Sequence, residues 1–123
     1  MLNYFYIFFG KVMIMKQVIE YIQKNYDPLC LILYGSYADG TNRLNSDFDA
    51  LVITADHEPF HDTSLVAGIP LDVFVYPAGY FEGAYACEDF VQIFDGRMIM
   101  DRHDIGKSLL ANVRAYLQNR PGK

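Results

Sequence analysis

Positive charge is scarce in this chain: ten lysines and arginines stand against fifteen aspartates and glutamates, a formal net charge of −5. That balance excludes a protein that grips nucleic acid by broad phosphate neutralisation, which needs a basic surface, so no stable nucleic-acid binding is expected. It leaves room for a nucleotide ligand, because a bound metal can supply positive charge locally. Cysteine is nearly absent too. Cys30 and Cys87 are the only two, no CxxC or Cys/His cluster points to zinc, and two buried, reduced thiols suit a cytoplasmic protein. No apolar run reaches the roughly 20 residues of a membrane span. Tryptophan is missing altogether, and the ten tyrosines and nine phenylalanines read mostly as core. Repeats and low-complexity linkers are lacking, so 123 residues, 52% of them apolar, bound one domain with an ordinary core.

The aromatic start, residues 4–9, is cut short by Gly10 and Lys11, and it lacks the basic beginning and small-residue cleavage site of a secretory signal. Three readings of residues 1–14 stay open: an extra β-strand or dimer contact, a membrane-touching tail, or an over-long translation start. We favour the last, with residues 1–14 an apolar extension and 15–123 the domain, because Met15-Lys16-Gln17 opens a good helix. An intact Met1 terminus in the native protein, read by mass spectrometry, would sink that preference.

Residues 16–25 read as an amphipathic helix, with Val18, Ile19 and Ile22 on one side, ended by Asp27-Pro28. Residues 29–34 form an uncharged run of strand length, as a buried strand requires. Residues 35–40 read as a turn and a short helical piece, 41–46 as a polar loop, and 47–54 as the next strand. Residues 56–64 are polar and look like an exposed connection. A third strand follows at 69–76, with Asp72 sharing a face with Pro70, Phe74 and Tyr76. Residues 80–94 are ambiguous between helical turn and strand, 97–100 read as a short extended piece, and 105–119 as a second amphipathic helix. Asp104 is its candidate N-cap.

Three carboxylates interrupt this apolar pattern. Asp47 and Asp49 alternate on one strand and so point the same way; Asp72 lies within another. An ionised carboxylate is costly to bury unless something positive or hydrogen-bonding meets it. Hard oxygen ligands suit Mg²⁺, which usually keeps water and substrate phosphates as its other ligands. Two such ions about 3.5–4 Å apart would clamp the attacking and leaving oxygens of an in-line displacement. Gly35, directly after a buried strand, permits a tight turn and close backbone approach to a ligand. Ser36 then offers a hydroxyl and backbone N–H groups to phosphate, and Tyr37 is the aromatic to place near a nucleotide.

Leu33-Tyr34-Gly35-Ser36, a ten-residue spacer, Asp47-Phe48-Asp49-Ala50 and Leu71-Asp72-Val73-Phe74 together resemble the signature of the DNA polymerase β-type nucleotidyltransferase superfamily, in particular its minimal nucleotidyltransferase branch. The resemblance implies an α+β fold, a small mixed β-sheet with helices packed on one side. It implies transfer of a nucleoside monophosphate, AMP by preference, from an NTP to a hydroxyl-type acceptor, with two Mg²⁺ ions. By that resemblance Gly35 and Ser36 hold the triphosphate, Asp47, Asp49 and Asp72 bind the metals, and Asp72 helps deprotonate the acceptor. Small relatives often carry an Arg-Gly pair where this chain has Asp39-Gly40; Arg43 is the substitute within reach in sequence, against an equal case for a solvated loop arginine.

The chain ends shortly after its last helix, so the acceptor site is expected to need a dimer mate or a partner protein. The family points to a helical HEPN-type toxin. The alternative reading is an antitoxin-like binding module that neutralises such a toxin mainly by complex formation, with weak or no catalysis. His57-Glu58-Pro59-Phe60-His61 matches the letters of the HExxH zinc motif, but Pro59 breaks the continuous helix on which that motif depends, leaving an exposed loop. Tyr76, Tyr80 and Phe81 suit either an acceptor groove or core packing, with packing favoured.

Overall fold

A strand with no polar alternation needs cover on both faces, and that requirement organises the molecule. The computed structural model describes residues 4–43 and 45–119; the first three residues of the N-terminal extension lie outside them. The uncharged run becomes β1 (Cys30–Tyr34), buried at every position. It pairs antiparallel with β2 (Phe48–Thr54) on one side and with β6 (Arg97–Asp101) on the other. β2 in turn runs parallel to β5 (Ile69–Pro77). The short β3 (Phe60–Asp62) closes that edge antiparallel to β5, and the two-residue β4 (Leu65–Val66) pairs with the start of β5. The strand order is β3-β5-β2-β1-β6. It is the mixed sheet that the sequence led us to expect.

The helices, however, cover both faces rather than one. Leu31 and Leu33 of β1, with Phe48, Ala50 and Val52 of β2, pack with Val18 and Ile22 of α1 (Tyr4–Tyr26). Cys30, Ile32 and Tyr34, with Leu51 and Ile53, pack on the opposite face with Leu109, Leu110 and Val113 of α3 (Ile105–Gln118). The physical reason lies in β1 and β2 themselves, whose successive side chains are all apolar over most of their length and so must be sheltered on both sides.

Helix α1 begins at Tyr4, far ahead of Lys16. Residues 4–14 contain no proline and no β-branched run, and a single glycine inside a helix costs only about 1 kcal/mol relative to alanine. The strand reading of this segment therefore fails. Lys11 Nζ donates to the Asn42 carbonyl at 3.1 Å, joining the early helix to the loop beyond α2 (Ser36–Asp39). The ambiguous stretch 80–94 resolves into 3₁₀ structure, at Ala78–Phe81 and at Cys87–Ile93, the latter kinked at Phe90. Tyr76, Tyr80, Phe81 and Phe90 contact one another there, Tyr76 and Tyr80 at a centroid distance of 4.7 Å, and Tyr76 and Phe81 pack on the α3-side core.

Two carboxylates anchor elements that the polar sequence disguised. Asp62, 2% exposed, accepts from Tyr26 Oη at 2.6 Å, Tyr21 Oη at 2.9 Å and Ser64 N at 2.9 Å. Its burial works to raise its pKa, yet the hydrogen bonds from Ser64, Tyr26 and Tyr21 outweigh that and hold it below the ordinary value. This ties β3 to α1. Asp101 accepts from the amides of Gly106 at 2.7 Å and Lys107 at 2.9 Å, satisfying donors in the first turn of α3. Asp104 occupies the N-cap position with left-handed backbone (φ 57°) and makes no capping bond with its side chain. Among the described residues no helix is long and apolar enough to cross a membrane.

Candidate active site

The register of three strands assembles the site. Tyr34 stands opposite Asp49 across β1 and β2, and Asp49 stands beside Asp72 across β2 and β5. Asp47, Asp49 and Asp72 thereby offer carboxylate oxygens that all lie within 4.8 Å of one another, with Asp47 exposed and the other two half-buried. All three rise from the α3 face of the sheet, at its end where β1 leaves and β2 enters.

Gly35 completes this geometry. Its φ of 72° and ψ of −156° fall in a region that essentially only glycine occupies, and a Cβ there would overlap the Asp49 carboxylate. The turn can pass that close only because position 35 has no side chain. Ser36, half-buried, opens the four-residue α2 immediately beyond.

Crowding carries an electrostatic signature. The Asp49 carboxyl is pushed up to about 6, by burial first, then by its contact with Asp72 and the negative charges of Asp72 and Asp47. Tyr34, 8% exposed, has its phenol pushed up to about 12 by burial and by the charges of Asp72 and Asp49. A site that raises both groups is short of positive charge. Three converging hard oxygen donors with that deficit fit a divalent cation such as Mg²⁺.

Other residues singled out from sequence fare differently. Tyr37 is 3% exposed and belongs to the α1-side core, its ring 5.3 Å from that of Phe48, so it offers no free face to a nucleotide. Packing of α2 against β1 and β2 draws it inward. Arg43 is exposed in the loop, where its backbone N–H donates to Ser46 Oγ at 2.7 Å; no described contact brings it to the carboxylates. Asp39, the acidic departure from the small-relative pattern, accepts from Thr41 N at 3.0 Å and Thr41 Oγ1 at 2.6 Å. Those bonds hold its carboxyl below the usual range and engage it in the local turn.

Sequence reasoning missed His61. Its segment is strand β3, and its Nε2 lies 2.6 Å from Asp72 Oδ1. The HExxH letters are thus no helix, as Pro59 foretold, but the segment is not an idle loop either. The one available signal was alternation: on a strand, His61 and Asp62 must face opposite ways, and each has a carboxylate or hydroxyl partner waiting.

Residues 16–69 match the family model described as Polymerase beta, Nucleotidyltransferase. The match takes in Gly35, Ser36, Asp47 and Asp49 and stops before Asp72, which the strand register supplies. No curated protein matches the sequence. Among solved structures, a toxin–antitoxin complex with AMP-PNP is similar at a TM-score of 0.54 and 18% identity, over 84% of this chain and 86% of that one. The toxin–antitoxin MntA–HpeT bearing a Tyr→Ala substitution is similar at 0.55 and 17%, over 85% of each chain. A second MntA–HpeT mutant, with two Asp→Glu substitutions, gives 0.55 and 15%, over 84% and 85%. At these identities the likeness speaks to fold. The family model's match is confined to residues 16–69, and the fold of the solved neighbours agrees with a polymerase β-type nucleotidyltransferase domain there. The superposition spans most of both chains.

Proposed function

We propose that this protein transfers a nucleoside monophosphate, AMP in the leading case, from an NTP to a hydroxyl on a partner protein. The observation that carries the reading is the convergence of Asp47, Asp49 and Asp72 within 4.8 Å beside a glycine whose missing side chain makes room for Asp49. Asp47, Asp49 and Asp72 would hold Mg²⁺, two ions by the superfamily's pattern. When bound, the metal supplies the positive charge that triphosphate and carboxylates both lack. Gly35 and Ser36 bring backbone and hydroxyl close to the phosphates. Asp72, at the half-exposed edge of the trio, accepts the acceptor's proton. The acceptor oxygen bonds to the α-phosphorus, the bond from that phosphorus to the bridging oxygen breaks, and pyrophosphate leaves with the electron pair.

Support for ATP as donor comes from the fold neighbour crystallised with AMP-PNP, an ATP analogue, and support for a protein partner from the neighbours being toxin–antitoxin complexes. A helical HEPN-type toxin is the partner that the family resemblance suggests. The test is incubation with Mg²⁺ and α-phosphate-labelled NTPs, with and without host lysate. Label on one protein band, lost in Asp49→Asn, is the expected result. Label on a small molecule would redirect the acceptor to drug-like hydroxyls. No label from any NTP, alongside stable partner binding, would replace catalysis with an antitoxin-like binding module.

A further inference from the structure

The imidazole beside Asp72 is held from three directions. Its ring lies flat on Phe74, its register partner across β3 and β5, with centroids 4.1 Å apart and planes within 6°. The next residue, Asp62, pins the strand to Tyr21 and Tyr26 of α1 through the other face of the sheet. Nε2 itself sits 2.6 Å from Asp72 Oδ1. An ionised carboxylate only accepts hydrogen bonds, so Nε2 carries the hydrogen. A carboxylate on a strand can otherwise swing about χ2, a broad torsion with little intrinsic preference.

We propose that His61 is a positioning residue of the carboxylate site: its Nε2–H holds Oδ1 of Asp72, so that this carboxylate presents its other oxygen to a divalent cation shared with Asp47 and Asp49. The assignment rests on the metal-site reading above. Partners that hydrogen-bond a metal-ligating group fix its orientation, and their loss typically costs about 10–100-fold in metal affinity.

The test is Mn²⁺ binding to the full chain, followed by electron paramagnetic resonance, with thermal melting as the check on folding. His61→Ala should weaken Mn²⁺ by about tenfold or more. His61→Gln, whose terminal amide can place an N–H near the position of Nε2, should restore most of the affinity. In an Asp72→Ala background, His61→Ala should weaken binding no further, because the group it orients is gone. Unchanged affinity in His61→Ala, no rescue by glutamine, or an equal loss in both backgrounds would each overturn the assignment while leaving the metal site standing. Failure of the wild-type chain to bind Mn²⁺ would instead overturn the metal-site reading, and this assignment with it.

Discussion

Gly35→Ala is the sharpest perturbation the structure offers, because it loads two separable penalties onto one atom. The first is backbone strain: holding a non-glycine residue at φ 72°, ψ −156° costs about 1–3 kcal/mol. Alanine's lower unfolded-state entropy returns about 0.4–1 kcal/mol of that. The second is steric. The new Cβ would overlap the Asp49 carboxylate, and forcing that side chain off its rotamer costs about 0.5–1.5 kcal/mol more. The net loss spans about 0.5–4 kcal/mol and centres near 2, or roughly 6–10 °C in Tm at that centre for a domain of this size.

Gly40 is the natural control. It too has positive φ, at 82°, but a Cβ there meets nothing within 4 Å. Gly40→Ala should therefore carry strain alone, about 1 kcal/mol, and leave Mn²⁺ affinity intact. Gly35→Ala should lose both stability and Mn²⁺ affinity, since it moves a ligand. Melting curves and Mn²⁺ titrations on the two variants read the difference directly. If they melt alike and bind alike, the close approach of Gly35 to Asp49 has no energetic weight and the reasoning fails.

Asp49→Asn should stabilise the metal-free protein in a pH-dependent way. The folded-state carboxyl titrates at about 6, above its ordinary 3.8. The fold therefore favours the protonated form: that stabilisation is full below the unfolded value and is lost as pH rises through about 6. The Tm advantage of the asparagine variant should open across that interval, level off above it, and shrink when Mg²⁺ is added; an advantage independent of pH would contradict the repulsion. At the head of α3, Asp101→Ala should cost about 1 kcal/mol by removing the acceptor of two first-turn amides, whereas Asp104→Gly should not destabilise, since it relieves a left-handed non-glycine residue. Urea denaturation distinguishes the two, and equal losses would mean that Asp101 is not the cap.

What could be read from the sequence was whatever a strand imposes on its own side chains. Asp47 and Asp49 share a face by alternation alone, and Asp72 reveals itself by interrupting an apolar strand, so the trio was legible before any pairing was known. What could not be read depends on which strand lies beside which. Tyr34 reaches the carboxylates only because register sets it opposite Asp49. Tyr37 lies in the core because α2 packs on β1 and β2, where its ring meets Phe48, a fact of packing rather than of motif. The helices were expected on one side although the unalternating β1 already demanded two. Helix α1 runs well ahead of residue 16 because nothing in residues 4–14 breaks a helix, although Met15-Lys16-Gln17 reads as its natural opening.

Strand β3 shows most clearly why such residues escape a reading of the sequence. Three residues are too few for an apolar period to emerge, and polar neighbours on both sides give the appearance of a loop. Its pairing energy with β5 comes from a handful of backbone bonds, and a strand that short is marginal without further support. The support is divided between the two faces. Asp62 meets two tyrosine hydroxyls of α1 on one side, and His61 meets Phe74 and Asp72 on the other. Alternation then makes the two consecutive side chains mechanically one device, because any twist that releases Asp62 from α1 also turns His61 away from Asp72. The buried anchor and the exposed edge of the carboxylate site are thus a single constraint, carried through the backbone between residues 61 and 62.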